Sequence, residues 1–188
     1  MGVNWDSGLI HWKDHTPSAK EHYPLSHLHP FVRRIHLPAN DHYSARDVQL
    51  HISFGLHTFT RATTLLDRPE EIYRDNREAR TFCKQRYKKS LELPQVFGAI
   101  ETRRCEFAQG RSSAVNYVVV ETANGDRYAA FFDVRRFRKV GEDAVHLMVQ
   151  SAYVLDRNKP SPGNGRINFR VLLEHTLRGR SPRKPPTR

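Results

Sequence analysis

Three short stretches of this chain carry side chains suited to a phosphodiester. In residues 57–63, His57 could act as a general base and Arg61 as a phosphate-binding guanidinium, with Thr58 and Thr60 beside them. The same residues could equally satisfy local turn hydrogen bonds. In residues 149–154, alternation puts Ser151 and Tyr153 on one face, where their hydroxyls could donate to non-bridging phosphate oxygens. A tyrosine half-buried at a sheet margin gives the same pattern. Residues 131–139 set Asp133, Arg135 and Phe137 on one face and Val134, Arg136 and Arg138 on the other. Arginine interleaved with aromatic residues suits phosphate pairing and base stacking, and it also suits a charged edge strand that resists aggregation.

The charge favours the binding reading. The 188 residues hold 31 Lys+Arg against 20 Asp+Glu, a net +11, and such a field draws polyanions: RNA, DNA or an acidic protein. Five further basic residues, Lys84, Lys88, Arg104, Arg136 and Arg138, are expected to line a nucleic-acid surface.

Strands and one helix must position these groups. Asn124-Gly125 between two alternating apolar runs signals a hairpin, because a type I′ turn needs positive φ at both central residues. With residues 145–154 it forms a meander. Upstream, FVRRIHL and DVQLHISF read as strands; Val48, Leu50, Ile52 and Phe54 alternate with Gln49, His51 and Ser53. Asp75 with Glu78 three residues on reads as a capping box. It opens a helix over residues 75–93, with Ala79, Phe82, Cys83, Tyr87 and Leu91 inward and Arg77, Arg80, Lys84, Lys88 and Lys89 outward. The expected fold is α+β: this long amphipathic helix packed on an antiparallel sheet of residues 104–109, 115–122, 128–137 and 145–154.

Three regions follow: an extended N-terminal arm (1–30), the α+β core (31–156) and a basic C-terminal extension (157–188). The arm has no periodicity, although Trp5, Leu9, Ile10 and Trp12 could tether it. The extension opens on the linker-like RNKPSPGNGR, continues as a short helix with Phe169, Leu172, Leu173 and Leu177 inward, and ends in a basic tail.

Cys83 and Cys105 form no CxxC pair, which excludes a disulfide framework and fits a reducing compartment. Nine histidines precede residue 60, including His27 and His29 with His22 and His36 nearby, yet none falls in a zinc signature, and no metal or cofactor is expected. Neither a signal peptide nor an apolar run of membrane-spanning length is visible, so the expected location is cytoplasmic.

The order of helix, antiparallel meander and a last strand ending in SAY resembles the metal-independent ribonuclease superfold that groups barnase, EndoU, colicin-type tRNases and RelE-like toxins. DRPEEIYRDNREARTF, NYVVVETANGDRYAAFF and VHLMVQSAYVLD resemble its phage-associated branch, over residues 57–156. HPFVRRIHLP, LHTFTRA and the arginine-rich end are also similar to uncharacterised bacterial proteins. The resemblance implies a toxin-like endoribonuclease, with 2′-hydroxyl attack on the adjacent phosphorus. His57 would be base or acid, Arg61 with Arg135 or Arg136 the phosphate clamps, and Ser151 and Tyr153 the last-strand polar pair. The superfold's helix-borne His or Lys is matched only by elimination, at Lys84 or Lys88. Two other classes stay open: a non-catalytic RNA- or DNA-binding module, and a protein-interaction subunit docking an acidic partner such as an antitoxin.

Overall fold

A computed structural model describes residues 9–39, 41, 44–108, 117–123, 126–180 and 182. In chain order the elements are β1 (His15–Ser18), β2 (Glu21–Tyr23), β3 (Phe31–Leu37), β4 (Arg46–His57), β5 (Thr60–Arg61), β6 (Ile72–Arg74) and β7 (Ala79–Phe82). Then come α1 (Lys84–Ser90), α2 (Leu93–Gly98), β8 (Cys105–Ala108), β9 (Tyr117–Ala123), β10 (Asp126–Arg136), β11 (Ala144–Val154), β12 (Gly163–Ile167) and α3 (Phe169–Leu177).

Alternation along the long strands builds the main sheet. Val48, Leu50, Ile52, Phe54 and Leu56 of β4, Val145, Leu147 and Val149 of β11, and Tyr128, Ala130 and Phe132 of β10 are buried on one face. That face meets Leu93, Val96 and Phe97 of α2 and Phe169, Leu172, Leu173 and Leu177 of α3 in one core. The α3 residues follow helical spacing, and the Asn168 side chain accepts the Arg170 backbone N–H at 2.9 Å to cap the helix. Seven strands pair in the order β12-β8-β9-β10-β11-β4-β3. Four meander strands, β8 to β11, lie side by side antiparallel, with Ala123 paired to Asp126. The Asn124-Gly125 turn itself lies outside the described residues.

The expected long helix on an antiparallel sheet is not the fold. The protein is mostly β, and α1, which falls within the expected helix, has only seven residues. The first half of residues 75–93 is a turn followed by β7, which pairs with β6 and β5 in a separate three-stranded antiparallel sheet. The reason is chemical. Asp75 Oδ1 accepts the backbone N–H groups of Arg77 (2.8 Å) and Glu78 (2.9 Å), and Asp75 N–H donates to Glu78 O at 3.1 Å. An aspartate that satisfies the amides two and three residues on serves a hairpin turn as well as a helix start.

The main sheet is also not wholly antiparallel. β11 pairs with β4 in parallel, from Ala144 opposite Gln49 to Ser151 opposite His57. The register shifts between Val149 and Ser151, leaving Gln150 bulged against Gly55. A Cβ at Gly55 would sit 3.0 Å from Gln150 O and 3.2 Å from Val149 O, so the close approach favours glycine, and any larger residue would need the β11 backbone to give by a few tenths of an ångström. Part of the linker-like stretch is β12, an edge strand paired to β8.

Residues 9–30 pack onto the body through Ile10, Trp12, Leu25 and Leu28, all buried. Trp12 Nε1–H donates to Phe54 O at 2.8 Å, and its ring meets Phe59 edge-on at 5.3 Å. The ring also meets Tyr73 of β6 edge-on at 6.1 Å, so the segment before β1 is joined to the main sheet and to the smaller one. Among the described residues, no helix is long and apolar enough to cross a membrane.

Trp12→Ala should therefore cost about 3–5 kcal/mol, the usual range for a buried aromatic truncated to alanine. Urea denaturation of the two proteins measures it, and a loss below about 1 kcal/mol would show that Trp12 does not hold the N-terminal segment to the sheet.

Candidate active site

The second face of the main sheet carries the polar side chains. Register and alternation place His51, Ser53, Gly55 and His57 of β4, His146 and Met148 of β11, and Phe131, Asp133 and Arg135 of β10 on it. The bulge at Gln150 brings Ser151 and Tyr153 onto this same face. Four of the five residues assigned catalytic roles from the sequence, His57, Arg135, Ser151 and Tyr153, thus share one surface. Ser151 and His57 are register neighbours.

A pocket of about 520 Å³ opens here, with His57, Arg77, Glu78, Asp133, Arg135 and His146 among its lining residues. Glu78 and Arg77 come from the β6–β7 turn. His57 Nε2 lies 2.8 Å from Glu78 Oε1, and Arg80 Nη1 donates to Glu78 Oε2 at 3.3 Å. Burial pushes the Glu78 carboxyl up, but the hydrogen bond and charge of His57 and the Arg80 guanidinium outweigh it, so Glu78 sits below the ordinary carboxylate value and is ionised at neutral pH. Arg77 is held to Asp75 Oδ2 at 3.0 Å. The sequence reading gave Glu78 only a capping role; only knowing that its segment is a hairpin turn would have aimed it at His57.

The far end of the pocket is built differently. Asp133, whose side chain is almost buried, pairs at 2.6 Å with the exposed Arg135. His146 Nε2 lies 2.6 Å from Ser53 Oγ, which also donates to Met148 Sδ at 3.2 Å. Burial pushes His146 below the ordinary imidazole value, and Asp133 only partly offsets this. His51, beside His146 in the register, is 8% exposed, packs edge-on to Phe137 at 5.0 Å and is likewise lowered by burial.

Other expected residues lie elsewhere. Arg61 is bound bidentately by Asp67, whose carboxyl it holds far below the usual range together with Thr81 and the Thr64 amide. It lines a second pocket, with Tyr153 and Arg86. Arg136 lies on the core side of the sheet, its Nε–H donating to Thr176 O at 3.1 Å near the end of α3. Arg138 is exposed in the turn after β10, and Lys88 is exposed on α1. Lys84 pairs with Glu21, and Arg104 with Glu106. Among the described residues the N-terminal histidines form no group that could hold a metal ion: the His11 and His29 rings meet at 4.8 Å, while His22 meets Asp14, His27 Ser90, His29 the Trp12 carbonyl and His36 Asp47. Arg86, which no sequence motif singled out, donates from Nη1 to His57 O (2.9 Å) and Thr60 O (2.7 Å) and stacks on Tyr153 at 5.3 Å.

The chain matches the family model of the YjaZ family over residues 14–177 and belongs to that family. The matched span contains every residue of both pockets. No curated protein and no solved structure matches it.

Four histidines, His15, His27, His51 and His146, are lowered from the ordinary value of 6.5 with burial as the largest cause. The unfolded chain takes up their protons near pH 6.5 while the native state resists, so stability is full above that pH and falls as the pH drops toward the lowered native values. His51→Leu should leave stability at pH 7.5 unchanged or higher, because its ring nitrogens are buried without hydrogen-bond partners among the described residues. It should also shrink the loss between pH 7.5 and 5.5. Urea midpoints at the two pH values measure both effects, and an equally steep decline in the variant would contradict the assignment.

Proposed function

We propose that the larger pocket is an active site for RNA backbone cleavage by 2′-hydroxyl attack. The observation that carries this reading is the His57–Glu78 hydrogen bond, 2.8 Å long, in a pocket that also holds Arg77 and Arg135. With neutral His57 donating Nε2–H to the ionised Glu78, the tautomer is set and Nδ1 keeps its lone pair. Nδ1 takes the 2′-hydroxyl proton, and the imidazolium that forms is stabilised by Glu78. The 2′-oxygen attacks the adjacent phosphorus while Arg135 and Arg77 offset the growing charge on the phosphorane oxygens. Ser151, beside His57, donates a hydrogen bond to a non-bridging oxygen. The 5′-oxygen leaves with a proton from water. The net charge of +11 supports a polyanionic substrate. An acidic antitoxin would suit the same surface as a partner.

Incubation of the purified protein with total RNA, with and without EDTA, tests the proposal. Fragments ending in 2′,3′-cyclic phosphate or 3′-phosphate are expected in both. His57→Ala should lower the rate by about 10²–10⁴-fold, the usual share of a general acid or base. Ser151→Ala should lower it less, since one neutral hydrogen bond is worth about 0.5–1.5 kcal/mol. Full activity in His57→Ala, or cleavage that needs a divalent ion, would end this mechanism.

Binding gives a separate prediction. Affinity for a generic RNA should fall steeply between low and physiological salt, because each neutralised phosphate releases counterions. Steep salt dependence without cleavage would identify a binding module instead, and a flat response would count against nucleic acid altogether.

A further inference from the structure

The second pocket, about 250 Å³, lies between α1, β5 and the neighbouring ends of β10 and β11. Arg61, Arg86 and Lys89 line it, together with Tyr128 and Tyr153; among the described residues no carboxylate does, and the negative charge that acts on Tyr128 is that of Glu92, which Lys89 pairs. Arg61 and Lys89 are neutralised by Asp67 and Glu92, the latter pair at 3.1 Å. Arg86 is not. Both of its hydrogen bonds leave from Nη1 and end on uncharged carbonyls, and among the described residues no carboxylate lies within ion-pair distance of it. A half-buried guanidinium matched only by neutral acceptors leaves Nη2 and Nε able to bind an anion.

A second observation points the same way. Tyr128 is 3% exposed, and its hydroxyl makes no hydrogen bond among the described residues. Buried hydroxyls are normally satisfied, so a lone donor in the wall of a cationic pocket calls for an acceptor. Burial holds this phenol well above its ordinary value, so it remains a donor at neutral pH.

We propose that this pocket is a phosphate subsite, in which the free edge of Arg86 and the Tyr128 hydroxyl take oxygens of one phosphate group. Resting on the reading of His57 above, the group is the phosphate next to the scissile one in an RNA strand. Arg86 holds the carbonyl of His57 itself, Tyr128 lines the pocket from the core side at the neighbouring ends of β10 and β11, and Tyr153, on which Arg86 stacks, stands two residues beyond Ser151 on the same face. That offset is about 6.5 Å along a strand, on the scale of one nucleotide step.

Tyr128→Phe isolates the claim, because it removes only a hydroxyl that has no partner and should leave the melting temperature unchanged or higher. Calorimetric titration of the full-length protein with inorganic phosphate should show binding that Tyr128→Phe weakens about tenfold, the scale of one hydrogen bond to a charged group. In a second arm, a short RNA with an uncharged methylphosphonate at the linkage beside the cleaved one should bind the wild type at least tenfold more weakly than the unmodified RNA, and the penalty should be smaller in Tyr128→Phe, where only Arg86 still meets that phosphate. Absence of phosphate binding, or equal affinity in wild type and Tyr128→Phe, would overturn the subsite. Phosphate binding that depends on Tyr128, in a protein that neither binds nor cuts RNA, would uphold the pocket as a site for free phosphate esters and reject the ribonuclease reading.

Discussion

The parallel junction between β4 and β11 is the constraint on which both pockets depend. Parallel neighbours keep the same alternation, so their buried faces combine into one core and their polar residues fall together on the opposite side. His51 meets His146, Ser53 meets Met148 and His57 meets Ser151. The bulge within this junction does the rest. By leaving Gln150 out of register it turns Ser151 and Tyr153 onto the face of His57, and Gly55 eases this by letting two backbones approach to a distance at which a Cβ would force one of them to shift by a few tenths of an ångström. A single methyl at residue 55 would therefore act on the core and on the pocket together.

Much of the local structure was legible. The alternation in FVRRIHL and DVQLHISF is the alternation of β3 and β4, and the apolar spacing after Asn168 is that of α3. The sharing of one surface by His57, Arg135, Ser151 and Tyr153 followed in part from strand periodicity. What failed was the segment from Asp75, because the chemistry of its side chain fits two backbones equally. The choice was made by distant partners: Cys83 N–H donates to Phe59 O at 3.0 Å, and Thr81 Oγ1 donates to Asp67 Oδ2 at 2.7 Å. These contacts pull Ala79–Phe82 into a sheet, and tertiary pairing outweighs the weak preference for helix. The parallel junction was illegible for a related reason. Neither β4 nor β11 encodes which edge it will present to a strand almost a hundred residues away.

The same substitution of turn for helix explains why the site partner of His57 went unseen. On a helix, Glu78 would have capped its own backbone. In the hairpin, Asp75 takes over the amides, and the Glu78 carboxylate is released to face the end of β4. His57 first, and then Arg80, two residues on along β7, hold this carboxylate ionised despite its partial burial. An apparent conflict between motif and structure thus reduces to which of two acids, three residues apart, satisfies the turn.

Charge placement separates function from bulk basicity. Several of the basic residues singled out from the sequence are compensated nearby: Arg61 by Asp67, Lys84 by Glu21, Arg104 by Glu106. The exposed Lys84–Glu21 pair contributes little to stability, and Arg61 is held by an almost buried carboxylate, so neither charge is open to a ligand. Arg86 differs because the groups it satisfies carry no charge, so its field is not cancelled at short range. It also bonds to the carbonyls of both His57 and Thr60, which fixes the backbone where the main sheet passes into the smaller one. A ligand drawn to Arg86 is therefore drawn to the residue that positions His57. Occupancy of the smaller pocket and the geometry of the larger one are joined through a single guanidinium.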